Sequence, residues 1–396
     1  MKRLWQWISP CMSDVMGFQA VVANTDGLGI VDDSSTYKPM HYEREKMQGR
    51  PHERGGHHGK GGHFGNLRVI SSHIEETDVI QGTADKLMQA AANGVEQFHP
   101  SFVLLTSAPC ASMIGTDLAS IADEICQKYQ VPAGVVSLDG QKDYLYGISH
   151  TLEAMAKLLL AKKETIPGTV NLLGCHPVDW SEEMTDKTKH WLESQGLQVI
   201  SCWGAKTNAA CLQEASAASV NLVVNISGLR VAKYMKEQFD IPYVVGAPFG
   251  KAYCEDLLAQ LQSLTSENIT CSPERIDQTE VFVIGEQLQA NAIRFALQKR
   301  GFKNICVCSF FEMDKALMAG ADKKLVSEDE WINLLKSSQL QLVIGDMDYR
   351  IGTEIPWIAL ANQSSYGPSE RLSPFSMTSE DLDQWLDNNL NQLNLK

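Results

Sequence analysis

The stretch Leu104-Leu105-Thr106-Ser107-Ala108-Pro109-Cys110-Ala111-Ser112-Met113-Ile114-Gly115-Thr116-Asp117-Leu118 places a thiol where metal chemistry is feasible. The apolar run predicts a buried strand, Pro109 turns the chain, and Cys110 falls in the loop before a helix. A thiol there sits near unpaired backbone N–H groups and the positive end of a helix dipole. Both favour the thiolate, the form that binds iron. On spacing alone, a cysteine simply packed in a turn is equally open. A second cluster of potential ligands is the polar segment around Arg54-Gly55-Gly56-His57-His58-Gly59-Lys60-Gly61-Gly62-His63, where imidazoles suit iron, nickel, zinc or copper. Its five glycines predict a long loop without fixed geometry, so weak adventitious metal binding is the competing reading.

The elements that must position Cys110 are legible from about residue 100 onward. Short apolar runs alternate with segments of helical period, the pattern of parallel sheets with crossover helices. Strands are expected at 102–106, 133–138, 170–174, 197–202, 220–225, 243–246, 281–285, 305–310, 342–345 and 357–360. Several are continuous Val, Ile and Leu, as strands buried on both faces require. Leu118, Ile121, Ala122 and Ile125 share one helical face, and Leu288, Ala292, Phe295 and Ala296 another. Gly196 and Gly301 stand where helix C-caps are wanted. Polar seams at 162–168 and 263–280 divide the chain into three blocks. The expectation is an α/β protein of three Rossmann-like domains with mainly parallel sheets flanked by helices: 1–165 with a His/Gly-rich loop at 38–66, then 166–275 and 276–396.

Composition narrows the function. A formal net charge of −14 argues against a nucleic-acid or anionic-membrane partner, which needs a broad basic surface. No apolar run approaches the roughly 18 residues of a membrane span, and the first residues lack a secretory pattern, so a cytoplasmic location is expected. Ten cysteines without one Cys-x-x-Cys pair fit reduced thiols, most of them small buried hydrophobes. No P-loop or Gly-x-Gly-x-x-Gly is present, so this chain is expected to bind no nucleotide; hydrolase motifs are absent too.

Strand-Ser-x-x-Cys-x-x-x-Ile-Gly-x-Asp-Leu around Cys110 resembles the cluster-binding loop of the nitrogenase component 1-like oxidoreductases. That family includes the dark-operative protochlorophyllide reductase and the nickel-sirohydrochlorin reductive cyclase. Thr116 stands where the commonest pattern has an Asp, while Asp117 matches the next position. Cys11-Met12-Ser13-Asp14-Val15-Met16-Gly17 is similar to the family's first cluster cysteine and the small residues after it. Glu75 to Gly82 looks like its acidic turn, and Asn221 to Val223 followed by Tyr234 to Tyr243 resembles its middle domain. The resemblance implies that Cys11 and Cys110 bind an iron–sulfur cluster, a [4Fe–4S] centre being expected, at an interface between subunits. The family's second cluster cysteine has no counterpart here. Asp32, Asp33 or Tyr37 could supply an oxygen ligand instead, or form a solvated acidic turn. A four-cysteine cube could then be completed by two copies of the chain, as a homodimer, or by a heteromer with a related subunit.

The resemblance also implies that an ATP-dependent iron protein delivers the electrons. No large iron–molybdenum-type cofactor is expected: no cysteine lies near Val224 to Ile226, and no histidine follows His190. The leading expectation is therefore an oxidoreductase subunit relaying low-potential electrons to an unidentified substrate or metallocofactor. Loops after Gly174, Asn225 and Gly285, with Cys175, His176, Ser227 and Glu286, are candidate cleft walls or plain loop residues. The alternative is a non-catalytic scaffold or metal carrier using His57, His58 and His63.

Overall fold

Apolar runs of three to eight residues can bury both faces only inside a covered parallel sheet, and that is what they form. A computed structural model describes residues 6–34, 68–263, 279–337, 340–362, 364 and 381–395. Its strands make three sheets, and every strand pair in them is parallel. The chain divides into two compact units, one of Ser13–Leu160 with Lys206–Gln213, the other of Met1–Met12, Ala161–Ala205 and Glu214–Lys396.

The first of these units holds α1 (Asp14–Val22), β1 (Leu28–Asp32), β2 (Val69–Ser71), α2 (Ala84–Phe98), β3 (Val103–Ser107), α3 (Leu118–Tyr129), β4 (Ala133–Val135) and α4 (Tyr144–Leu159). The sheet order is β2-β1-β3-β4. On one face Leu28, Ile30, Val103 and Leu105 pack with Leu87 and Ala91 of α2 and Ile121, Ala122 and Ile125 of α3. Each such side chain contributes about 1.5–3 kcal/mol by leaving water. The expected apolar face of α3 is thus the buried one. α1 packs against α4 at very close range. Gly17 and Gly147 permit this, because a Cβ on either would run into a backbone carbonyl of the other helix, Tyr144 or Asp14. Gly147→Ala is therefore expected to destabilise the protein by about 1–3 kcal/mol through overpacking, measurable by urea unfolding.

The second unit carries two sheets. β5 (Ile166–Leu173), β6 (Gln198–Trp203), β7 (Ala218–Val223) and β8 (Tyr243–Val245) have the order β6-β5-β7-β8. Helices α5 (Glu182–Ser194), α6 (Leu229–Phe239) and α7 (Lys251–Ser263) accompany them. β9 (Val281–Ile284), β10 (Ile305–Ser309), β11 (Lys323–Lys324), β12 (Leu342–Gly345) and β13 (Trp357–Ala359) have the order β11-β10-β9-β12-β13. With them go α8 (Gln287–Lys299), α9 (Glu328–Ser337) and α10 (Asp381–Gln392). In both sheets the strand order, not the strand direction, reverses beside the first strand, between β5 and β7 and between β9 and β12. Loops at such points are where α/β sheets receive ligands. Gly196 ends α5 as expected: it adopts φ +80°, and Leu197 N–H returns to the Leu192 carbonyl. Among the described residues, no helix is long and apolar enough to cross a membrane.

Candidate functional site

The strongest candidate lies at the carboxyl ends of β1 and β3. After β3, Ala108 is extended and Pro109 opens a single helical turn, Pro109–Ser112. This turn lifts Cys110 onto the surface. Its sulfur donates a hydrogen bond of 3.3 Å to Asp33 Oδ1, the residue that follows β1. Asp33 is itself fixed: its N–H donates to Ser72 Oγ at 3.1 Å, and its Oδ1 also accepts Ser34 N–H at 2.8 Å. The sequence placed a thiolate here; the structure corrects that. Partial burial of the sulfur, then the hydrogen bond to Asp33 and its negative charge, push the Cys110 thiol up. The N–H groups of Ser34 and Ala111 oppose the shift and are outweighed. A one-turn helix has too small a dipole to compensate for an adjacent carboxylate.

Of the two neighbouring acids expected as oxygen ligands, Asp33 reaches the sulfur and Asp32 turns inward. Asp32 is fully buried and accepts Ser72 Oγ and Thr83 Oγ1, each at 2.7 Å. Burial pushes its carboxyl up, against those two hydrogen bonds. Thr83 in turn shares a 2.7 Å hydrogen bond with Thr116. Asp32 thereby ties the turn after Gly82 to the loop that follows Cys110. Asp32→Ala is expected to lower stability by about 1–3 kcal/mol, since it leaves buried hydroxyls without their acceptor; thermal unfolding at constant pH checks this. Ser72, Thr83 and Thr116 escaped the sequence reading, because hydroxyls so far apart in the chain carry no periodic or motif signal.

Cys11 lies in the other compact unit and is half-buried. Tyr37, His57, His58 and His63, with the whole loop 38–66, lie outside the described residues. Among the described residues, no three His, Cys, Asp or Glu side chains gather so as to hold a metal ion. The thiol and carboxylate at Cys110 and Asp33 suit iron as a partial donor set. Completing it takes ligands beyond those two.

In the second unit the loops after β5, β7 and β9 meet. Cys175, His176, Ser227 and Glu286 are all buried there. Burial pushes the Cys175 thiol well above its ordinary range. His176 Nε2 lies 3.7 Å from Asp179 Oδ2, which accepts a 3.2 Å hydrogen bond from Asn225 Nδ2. Asn225 Oδ1 accepts both Ser227 N–H and Ser227 Oγ. Glu286 joins the two sheets: Oε1 accepts Ile226 N–H at 2.8 Å, and Oε2 accepts Gln289 N–H at 2.9 Å in the first turn of α8. Burial pushes its carboxyl up to about 7; the two N–H groups oppose this and Asp179 adds to it. Of the residues expected as cleft walls, His176, Ser227 and Glu286 thus form a buried polar cluster with Asp179 and Asn225, while Cys175 is buried beside Thr185 and Cys202.

A family model described as nitrogenase component 1 type oxidoreductase matches residues 51–345. The chain belongs to that family. Among its relatives, the nitrogenase iron-molybdenum cofactor biosynthesis protein NifE of Methanosarcina barkeri is 26% identical over 54% of this chain and 49% of its own length. The nitrogenase molybdenum-iron protein alpha chain of Clostridium pasteurianum is 24% identical over 45% of this chain and 34% of its own. The chain spans about half the length of the first of these curated relatives and a third of the second. In fold it is similar to the solved structure of nitrogenase Cp1 at pH 6.5. That match has a TM-score of 0.70 and 12% identity, covering 99% of this chain and 94% of the other.

Proposed function

We propose that this chain is a redox subunit that relays low-potential electrons through an iron–sulfur cluster, of [4Fe–4S] type, to a substrate or metallocofactor. Cys110 and Cys11 are its cysteine ligands, with Asp33 as an oxygen donor beside Cys110. The observation that carries the reading is the surface-exposed Cys110 sulfur held against the Asp33 carboxylate at strand ends. When bound, such a cluster stores and passes single electrons. This chain's residues do the rest. The Cys110 proton, hydrogen-bonded to Asp33 Oδ1, must pass to solvent before the sulfur and the carboxylate ligate. Asp32, through Thr83 and Thr116, holds the loop that presents the thiol. A second copy of the chain, or a related subunit, completes the coordination, and an ATP-hydrolysing iron protein in the cytoplasm supplies the electrons. The proposed division is into three domains, 1–165, 166–275 and 276–396, a reading that the three separate sheets support.

The relatives that build cofactor rather than use it favour one competing reading, a metallocofactor assembly scaffold. Anaerobic purification with iron and acid-labile sulfide analysis separates the two. The redox reading expects a brown protein with an iron-to-sulfide ratio of about one. A colourless protein that takes up nickel or zinc through the histidine loop overturns it.

A further inference from the structure

The segment that carries Cys11 is pinned upstream by the Glu328 carboxylate of α9 and downstream by the Ser364 carbonyl, which hangs from Asp346 through Asn362. Upstream, three successive backbone N–H groups converge on one side chain. Gln6 donates to Glu328 Oε1 at 2.8 Å, while Trp7 and Ile8 donate to Oε2 at 3.0 and 3.4 Å. Glu328 opens α9, more than three hundred positions away, and is buried. Hydrogen bonds to an ionised acceptor are about twice as strong as neutral ones, so this carboxylate holds the backbone itself. The side chains agree. Ile8 packs into the core with Phe282, Ile284 and Trp331, whereas Trp7 points into solvent.

Downstream, Met12 N–H donates to the Ser364 carbonyl at 2.8 Å. Ser364 is fully buried and hangs from Asn362 Oδ1 by its N–H and its hydroxyl, at 2.9 and 2.8 Å. Asn362 N–H in turn donates to Asp346 Oδ2 at 2.6 Å. Asp346 follows β12, beside the reversal point of the sheet, and its other oxygen accepts Asp348 N–H at 2.9 Å.

We propose that Glu328 and Asp346 are positioning residues for Cys11, which they hold on a strap clamped to the C-terminal sheet. This rests on the reading of Cys11 as a cluster ligand. The strap fixes four backbone amides, at 6, 7, 8 and 12, with half-buried Cys11 next to the second anchor in the three-residue span between them. A ligand so placed loses little freedom when it binds, which is what a preorganised site requires.

The test compares the full-length chain with Glu328→Ala, Glu328→Gln and Asp346→Asn. In reduced, iron-free protein two rates are read: amide exchange at Gln6, Trp7, Ile8 and Met12, and maleimide labelling of Cys11 located by peptide mass. Glu328→Ala raises exchange at the first three amides and Cys11 labelling by about tenfold or more. Labelling of Cys110 and exchange within β9 to β13 stay at wild-type values. Glu328→Gln keeps one acceptor oxygen and gives intermediate rates, a partial rescue that nonspecific damage to the core would not produce. Asp346→Asn raises exchange at Met12. After anaerobic iron–sulfide reconstitution, the alanine variant shows a changed cluster spectrum where glutamine restores that of wild type. Unchanged exchange and labelling in the variants overturn the proposal. Should Glu328→Ala fail to fold, the glutamine and asparagine variants decide by the same rates. A wild-type chain that takes up no iron refutes the ligand role of Cys11, and the rates still decide whether the strap is clamped.

Discussion

Cys110→Ala is expected to lose at least nine-tenths of the protein's iron and acid-labile sulfide while keeping the fold. The thiol is exposed and its side-chain partner is Asp33, so its removal takes little from the core. The structural effect should stay within about 0.5 kcal/mol, the range of a surface substitution away from special features. The chemical effect is large, because a carboxylate or water substitutes poorly for a thiolate on iron. Iron and sulfide assays on anaerobically prepared wild type and variant, beside far-ultraviolet circular dichroism, measure both. A variant that keeps its iron removes Cys110 from the site.

Glu286 gives the second large effect, and its sign is unusual for a carboxylate. Burial pushes the folded value from 4.5 up to about 7, so between those values the folded chain binds a proton that the unfolded chain has lost. Stability from this group is therefore highest on the acid side and falls as pH rises from about 4.5 to 7. Above that the deficit is constant, at about 3 kcal/mol. Glu286→Gln cannot ionise. Relative to this variant, wild type should gain about 3 kcal/mol of unfolding free energy on going from pH 8 to pH 5. Urea unfolding of both proteins at the two pH values gives that double difference, in which groups common to both cancel. A difference near zero, or of opposite sign, contradicts a buried Glu286.

The ten strands expected after residue 100 each coincide with one found, displaced by a few residues at most. They were legible because strands covered on both faces are written as uninterrupted apolar runs. β1 was missed, since Leu28-Gly29-Ile30-Val31-Asp32 is short and ends in an acid whose partners lie far along the chain. β11 is a pair of exposed lysines and has no hydrophobic signal at all. At the site, Cys110 was legible from the strand, proline and helix around it. The state of its thiol is not legible there, because it depends on burial of the sulfur in the fold and on Asp33, 77 positions away. Burial of the sulfur, followed by a carboxylate brought in by the fold, outweighs the local N–H groups of the helical turn. The clamp of Glu328 on residues 6–8 was invisible for a related reason: backbone N–H groups leave no mark in the sequence.

Native mass spectrometry of the anaerobically purified protein tests the central claim most directly, because it weighs chains and metal together. The expected result is an assembly of two subunits carrying a four-iron, four-sulfide cluster, which separates into single chains when the cluster is stripped by chelator and oxidant. A metal-free single chain, unchanged by the same treatment and by iron–sulfide reconstitution, would contradict it.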